Sequence, residues 1–148
     1  GAVSDMARSC APARCAGLEL ARLGRFLALV PQGDASGLAR VAATCVEALD
    51  RFRAPPEEAE LDRRRKAGLS ARQEALLTRW GYPYVMEEFR FHMTLTGRLP
   101  VDDIPHWTET LRAHLPPLPD PFVLDQVALV GEREDGRFEL IHRYALAG

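Results

Sequence analysis

Eleven consecutive residues organise the chain: Phe89-Arg90-Phe91-His92-Met93-Thr94-Leu95-Thr96-Gly97-Arg98-Leu99. Apolar residues and one glycine fill the odd positions, and polar residues fill the even ones. This alternation is typical of a half-buried β-strand, because successive side chains of a strand point to opposite faces of its sheet. The stretch therefore predicts a strand whose polar face carries Arg90, His92, Thr94, Thr96 and Arg98.

The predicted polar face combines an imidazole, two hydroxyls and two guanidinium groups, without an acidic residue. Neighbours on one face of a strand stand about 6–7 Å apart, so a small phosphorylated ligand is the natural partner for this row. His92 could exchange a proton while Thr94 holds an oxygen of the ligand. Arg90, Thr96 and Arg98 are further candidates for ligand binding. The alternative is an amphipathic strand whose polar face meets only water.

Segments on both sides of the predicted strand are similar to a known family. They are residues 69–77, with the sequence LSARQEALL, residues 79–85, with the sequence RWGYPYV, and the strand itself. These segments resemble the phosphonate-metabolism-associated family of uncharacterised proteins, which is placed in the 2H phosphoesterase superfamily beside RNA ligase-like cyclic phosphodiesterases. Residues 23–31 and 138–146 are similar to it as well, so the resemblance runs from about residue 18 to the C-terminus.

The resemblance implies two lobes around a cleft, in which two His-x-Thr strands face each other. It makes His92 one of the paired histidines and Thr94 a holder of a phosphate oxygen. The earlier His-x-Thr motif of the family, set in a Gly-Phe-His-Ala-Thr-Leu-like stretch, has no counterpart in this chain. Opening a cyclic phosphodiester needs a base that activates water and an acid that protonates the leaving oxygen, and one histidine cannot stand on both sides. The chain is therefore expected to be one lobe, the later half, of a two-lobed protein.

Three other histidines are candidates for the partner of His92. His106-Trp107-Thr108 matches the motif formally, but it falls at a predicted helix start, where residues i and i+2 do not share a face. His114 lies near the end of that helix, where a protonated imidazole suits the helix dipole. In the last predicted strand, His142 lies on the same face as the apolar residues, so it is expected in the core. None of the three is predicted to complete the site.

The implied function is hydrolysis of a cyclic phosphate or phosphodiester of a ribose-type metabolite, with a link to phosphonate metabolism that comes from the resemblance alone. Two alternatives stay open: a binding module without turnover, and an inactive half of a two-lobed protein. Tyr84, just before the predicted strand, could stack on a base or ribose, or could pack at a loop. Because a lobe without its partner exposes an apolar surface, a homodimer that brings two copies of His92 and Thr94 together is a further expectation.

Composition excludes several other classes of protein. With 47% hydrophobic and 27% charged residues over 148 positions, the chain is typical of a globular domain. The net charge of −2 provides no general attraction to nucleic acid or a membrane, although an RNA end stays open as a ligand. Three cysteines without a Cys-x-x-Cys pair predict reduced thiols in a cytoplasm, and no run reaches membrane-span length. No metal-ligand spacing, P-loop or dinucleotide fingerprint is present, so no metal or other cofactor is expected.

The remaining segments predict an α+β lobe over residues 18–148, with a mostly antiparallel sheet and helices packed on one face. Residues 1–17 lack periodicity and are expected to be loosely ordered or foreign to the domain. Helices are predicted from residue 36 to 52, 56 to 68, 70 to 81 and 103 to 115. Strands are predicted over residues 18–30, 122–130 with a bulge near Gln126, and 137–146. In the last of these, Phe138, Leu140, Tyr144 and Leu146 are expected to point inward.

Overall fold

The structure is a computed structural model that describes all residues from 1 to 148. Its helices are α1 (Ala2–Ser9), α2 (Ser36–Leu49), α3 (Glu58–Arg65), α4 (Ala71–Trp80) and α5 (Ile104–His114). Its strands are β1 (Ala13–Cys15), β2 (Gly17–Leu23), β3 (Phe26–Gln32), β4 (Met93–Thr94), β5 (Phe122–Leu124), β6 (Gln126–Glu132) and β7 (Phe138–Ala145). All strand pairs are antiparallel, which confirms the predicted α+β class. None of the helices has the length and apolar character needed to cross a membrane.

The chain divides into two compact units. Unit 1 contains Gly1–Pro12, Ala39–Arg90 and Asp125–Gly148, and unit 2 contains Ala13–Leu38 and Phe91–Leu124. The sequence analysis expected one lobe over residues 18–148 and a loosely ordered segment before it. In the structure the first residues instead form α1 and β1, and Met6 and Ala7 of α1 are buried.

Unit 2 is built around β3. The strands of its three-stranded sheet lie in the order β2-β3-β4, so β3 is hydrogen-bonded on both sides and β4 is an edge strand. Gly24 makes the tight turn between β2 and β3 with a positive φ of 60°, a backbone conformation that glycine adopts without a steric penalty. Leu27, Ala28 and Leu29 are buried, so both faces of β3 are covered here, because successive side chains of a strand point to opposite faces. β1 and β5 form a second, two-stranded sheet in the same unit.

The predicted eleven-residue strand is mostly irregular. Only Met93 and Thr94 pair regularly, opposite Leu29 and Ala28 of β3. Beyond them, the Thr96 hydroxyl accepts the N–H of Leu27 at 3.0 Å, taking a donor that a regular ladder would give to a carbonyl. This side-chain bond competes with strand pairing, and the regular ladder ends there.

Part of the predicted alternation between half-buried and exposed side chains is present although the segment is not a regular strand. Phe91, Leu95 and Leu99 are half-buried, whereas His92 and Arg98 are exposed. Backbone bonds from Leu95 to Leu27 (2.9 Å) and from Leu99 to Arg25 (2.7 Å) keep the segment alongside β3. Two-residue periodicity therefore predicted the exposure of these side chains, but not that of Met93, which is exposed, or of Thr96, which is half-buried, and it overestimated the length of the ladder.

Unit 1 contains the helix whose boundaries the sequence predicted best. The Ser70 hydroxyl accepts the N–H of Gln73, and the Gln73 side chain accepts the N–H of Ser70, which confirms the capping box of α4. Gly81 ends α4 in the left-handed conformation, with its N–H bonded to the carbonyl of Leu77. At the chain ends, the N–H of Gly148 donates to the carbonyl of Cys10 at 3.1 Å, and α1 packs against β6 and β7.

The predicted strand over residues 122–130 is two strands. It breaks at Asp125: β5 pairs with β1, whereas β6 pairs with β7. The change of parity that was read as a bulge near Gln126 marks the point at which the chain leaves one sheet for another. The register shift in this hairpin lies further along, between Leu129 and Val130, opposite Ile141.

The predicted inward face of the last strand is wrong for its first half. Phe138 is 72% exposed and Leu140 is 49% exposed, whereas Tyr144 is half-buried and Leu146 is buried. The register shift at Ile141 reverses which residues share a face, because side chains alternate strictly along a strand. Phe138 and Leu140 therefore lie on the face opposite Tyr144.

Replacement of Gly81 by alanine is expected to lower the free energy of unfolding of unit 1 by about 1–2 kcal/mol. Gly81 has a φ of 75°, and an added Cβ would lie 2.7 Å from Nη1 of Arg53. Gly97→Ala is the matched control, since Gly97 has an ordinary φ and nothing lies within 4 Å of an added Cβ. Urea unfolding followed through Trp80, in a Trp107→Phe background, measures Gly81→Ala, and unfolding followed through Trp107, in a Trp80→Phe background, measures Gly97→Ala in unit 2. Equal shifts of the midpoint from the respective parents would contradict the strain assigned to Gly81.

Candidate functional site

His92 and Thr94 lie together at the free edge of the β3 sheet. Thr94 is in the edge strand β4, opposite Ala28, and its side chain is exposed. His92 precedes β4 by one residue and is also exposed. The imidazole packs against the ring of Phe26, with 5.9 Å between ring centroids and an interplanar angle of 44°. One side of the imidazole is thus held by an aromatic ring while the histidine as a whole stays accessible to a ligand.

Two of the five predicted row members direct their side chains elsewhere. The Thr96 hydroxyl accepts a hydrogen bond from the N–H of Leu27 and donates one to the carbonyl of Gly97 at 2.9 Å. Its donor and one acceptor position are therefore both used within the fold. Arg90 folds back on its own segment, where Nη1 donates to the carbonyls of Glu87 (2.9 Å) and Phe89 (2.8 Å). Arg98 is exposed and makes neither a hydrogen bond nor an ion pair. The structure therefore reduces the five-residue row to His92, Thr94 and Arg98.

The other histidines have their own surroundings. His106 and His114 lie on α5, as predicted, with His106 against Trp107 at 6.1 Å and Nδ1 of His114 at 2.7 Å from the carbonyl of Thr110. His142 was expected in the core but is exposed, and its ring meets that of Tyr144 edge-on at 4.5 Å. His142 shares a face with Tyr144 as predicted, but it pairs with Leu129, which is itself exposed, so this part of the hairpin face is open to solvent.

The turn before the candidate site is tied to the start of α4. The guanidinium of Arg72 forms an ion pair with Glu87, and Nε2 of Gln73 donates to Glu88 at 3.0 Å. The hydrogen bond from Arg72 holds the pKa of Glu87 below its usual range. Both carboxylates thus face the first turn of a helix, where the dipole favours negative charge. Met86, in this turn, has a φ of 53°, which is unusual for a residue other than glycine.

Tyr84 lies in unit 1 at the rim of a cavity of about 200 Å³ that is also lined by Arg63 and Arg64. Its ring meets that of Tyr82 edge-on at 5.6 Å, and 43% of Tyr84 is exposed. The sequence left Tyr84 open between stacking on a base or ribose and packing at a loop, and it gave no sign that Tyr84 would lie beside the arginines of α3. No group of three or more His, Cys, Asp or Glu side chains in the structure could hold a metal ion.

The fold and the site define an α+β protein with antiparallel sheets and one exposed His-x-Thr motif at a sheet edge. The model of the family described as "Protein of unknown function (DUF1045)" matches residues 1–139, and the chain belongs to this family. Because the match begins at residue 1, the N-terminal segment that was expected to be loosely ordered or foreign is part of the family sequence.

Two curated relatives share part of the chain. A ribose 1,5-bisphosphate phosphokinase PhnN of Janthinobacterium sp. (strain Marseille) is 55% identical over 74 residues, which are 50% of this chain and 16% of that protein. A protein of the same name from Laribacter hongkongensis (strain HLHK9) is 45% identical over 94 residues, which are 64% of this chain and 21% of that protein. The matched region is thus a small part of each relative. No solved structure matches the chain.

Proposed function

We propose that this chain acts on a phosphate ester of a ribose-type compound in phosphonate metabolism, through the edge formed by His92, Thr94 and Arg98. The observation that carries the proposal is the exposure of these three side chains on one short segment that contains no acidic residue. The curated relatives are named for ribose 1,5-bisphosphate, which supports a phosphorylated ribose as the class of ligand. The resemblance to 2H phosphoesterases supports hydrolysis as the reaction.

In the proposed reaction, a water oxygen attacks the phosphorus of a cyclic phosphodiester, one P–O ester bond breaks, and the leaving oxygen takes up a proton. His92 either removes the proton from the water or supplies the proton to the leaving oxygen. Thr94 donates its hydroxyl to a non-bridging oxygen of the phosphate, and Arg98 adds a charge-assisted bond. A second imidazole carries out the proton transfer that His92 does not. A second copy of the chain or another polypeptide segment would supply this imidazole.

A binding module without turnover is the second candidate. It is favoured by the presence of one His-x-Thr motif, not two, at a sheet edge, since a site that only holds phosphate needs donors but no acid–base pair. The two functions share the same donors and differ in whether His92 transfers a proton.

Replacing Thr94 and Thr96 one at a time tests the site. Thr94→Val is expected to weaken the binding of ribose 5-phosphate about tenfold, because it removes one donor to a charged acceptor. It should leave stability nearly unchanged, since valine keeps the shape and strand propensity of an exposed threonine. Isothermal titration calorimetry measures the affinity, and thermal unfolding measures the stability.

Thr96→Val is the matched control with the opposite expectation. It leaves the buried N–H of Leu27 without its acceptor, so it should cost about 1–3 kcal/mol of stability. The affinity of the folded protein for ribose 5-phosphate should be unchanged. The proposal fails at Thr94 if both valine variants bind the ligand as the parent chain does.

A further inference from the structure

The cavity of about 200 Å³ beside α3 is a second feature that could receive a ligand, and it lies within unit 1. Its walls are the side chains of Arg63, Arg64, Ala67, Leu69, Pro83 and Tyr84. The cavity is smaller than the roughly 300–1,000 Å³ typical of sites for drug-sized molecules. Its lining combines two guanidinium groups, an aromatic ring and apolar side chains, with no carboxylate among them.

Arg64 is held in place but is incompletely hydrogen-bonded. Its Nη2 pairs with Glu60, and its guanidinium lies over the ring of Tyr82, with 4.5 Å from Cζ to the ring centroid. Its Nε is buried and has no hydrogen-bond partner. A buried donor of a charged group without an acceptor is costly, and in native proteins such groups are rare outside functional sites. The buried Nε is itself closed to a ligand, but the pairing with Glu60 and the stacking on Tyr82 hold the guanidinium in one orientation, and a pre-oriented guanidinium is suited to an anion.

The charges around the cavity leave an excess of positive charge. Glu60 accepts from both Arg63 (3.1 Å) and Arg64, so one carboxylate is shared by two guanidinium groups. The hydrogen bond from Arg64 keeps the pKa of Glu60 below its usual range, so Glu60 is charged at neutral pH. The next arginine along the helix, Arg65, pairs with Glu74 instead. Arg63, 72% of whose side chain is exposed, is free to turn toward a second anion.

We propose that this cavity is a binding site for a small phosphate ester, separate from the edge that carries His92. The phosphate binds between Arg63 and Arg64, and the planar guanidinium of Arg64 donates to two of its oxygens. The organic part of the ligand lies against Tyr84, Leu69 and Pro83. This site stands on unit 1 alone and does not depend on the proposed function of His92.

Titration with phenyl phosphate and with inorganic phosphate tests the site directly. The ¹H–¹⁵N resonance of the Arg64 Nε–H reports on the orphaned donor, and its shift gives the dissociation constant of each probe. The ester should bind more tightly than inorganic phosphate if Tyr84 and its apolar neighbours hold the organic part. Absence of any shift at concentrations that saturate a millimolar site would overturn the proposal.

Variants of the ion pairs separate a specific site from general charge attraction. Arg64→Gln is expected to weaken phenyl phosphate binding about tenfold, and Arg63→Gln about threefold because Arg63 is more exposed. Arg112→Gln is the matched control: Arg112 is exposed and pairs with a glutamate three residues earlier, as Arg63 does. Equal weakening by Arg63→Gln and Arg112→Gln would show nonspecific attraction and sink the proposal.

A gain of affinity is the sharpest outcome. Glu60→Gln removes the carboxylate that competes for both guanidinium groups, so phenyl phosphate should bind severalfold more tightly. Glu109→Gln, which frees Arg112 in the same way, should leave the affinity unchanged. If Arg64 only braces Tyr82, Glu60→Gln brings no gain. Arg63→Gln, at a side chain that is 72% exposed, keeps the test available even if Arg64→Gln fails to fold.

Discussion

His92→Ala is expected to lower the rate of cyclic-phosphate hydrolysis by about 100- to 10,000-fold, the range that positioned acid–base groups contribute. The imidazole is exposed beside Thr94 and is braced by Phe26, so its removal takes away the proton-transfer group without opening the core. Hydrolysis of a 2′,3′-cyclic nucleotide is the assay. Thermal unfolding should show little change, because the loss is one of chemistry and not of packing.

Two controls distinguish a catalytic His92 from a bystander. His114→Ala removes another exposed histidine, one that bonds only the carbonyl of Thr110 in the preceding helical turn, and it should leave the rate intact. The rate of the parent chain should vary with pH, because an acid–base group acts in only one of its protonation states. A rate that is flat with pH, or one that is inhibited by a chelator, removes His92 from the acid–base role.

The partner of His92 determines how the rate depends on protein concentration. If a second copy supplies the other imidazole, hydrolysis per chain should rise with concentration as the homodimer forms. Light scattering at the same concentrations reports the mass. A fully active monomer would exclude the homodimer, and a dimer without turnover but with ribose 5-phosphate affinity would select the binding module.

Local signals predicted the parts of the fold that depend on neighbours in sequence. The capping box at Ser70 and the left-handed Gly81 bound α4 as expected, because both act within one turn of helix. The single strand predicted over residues 18–30 is wrong: the chain turns at Gly24, which has a positive φ, and forms the β2–β3 hairpin. The helix α1 escaped prediction although its eight residues are amphipathic, because a helix this short depends mainly on packing, here against β6 and β7.

The candidate site was predictable only in part for the same reason. The alternation of polar and apolar residues indicated that His92, Thr94 and Arg98 face solvent, and all three are exposed in the structure. Parity could not reveal that the Thr96 hydroxyl would take the N–H of a residue 69 positions away. The phosphate cavity was missed because its cation–π contact joins Arg64 to Tyr82 across a loop, although the Glu60-to-Arg64 spacing was visible in the sequence.

Leu27→Ala is expected to lower the free energy of unfolding of unit 2 by about 2–5 kcal/mol, the cost of removing a buried leucine side chain and leaving a cavity. Leu27 is 1% exposed and lies in the central strand of its sheet. Its carbonyl accepts from the N–H groups of Leu95 (2.9 Å) and Thr96 (3.3 Å). The residue therefore supports both the core and the segment that carries Thr94. Urea unfolding followed through Trp107, in a Trp80→Phe background, reports on unit 2.

Leu140→Ala is the control for Leu27→Ala, because it makes the same chemical change at a leucine that is 49% exposed. Leu140 lies in unit 1, so its unfolding is followed through Trp80 in a Trp107→Phe background. It should cost less than about 1 kcal/mol, since little apolar surface returns to water. Loosening β3 should also reduce ribose 5-phosphate affinity at the edge, because Thr94 is held only by its pairing with β3. Equal losses of stability in the two variants would mean that Leu27 is not in the core. A destabilised Leu27→Ala variant with unchanged affinity would show that the binding edge does not depend on the packing beneath it.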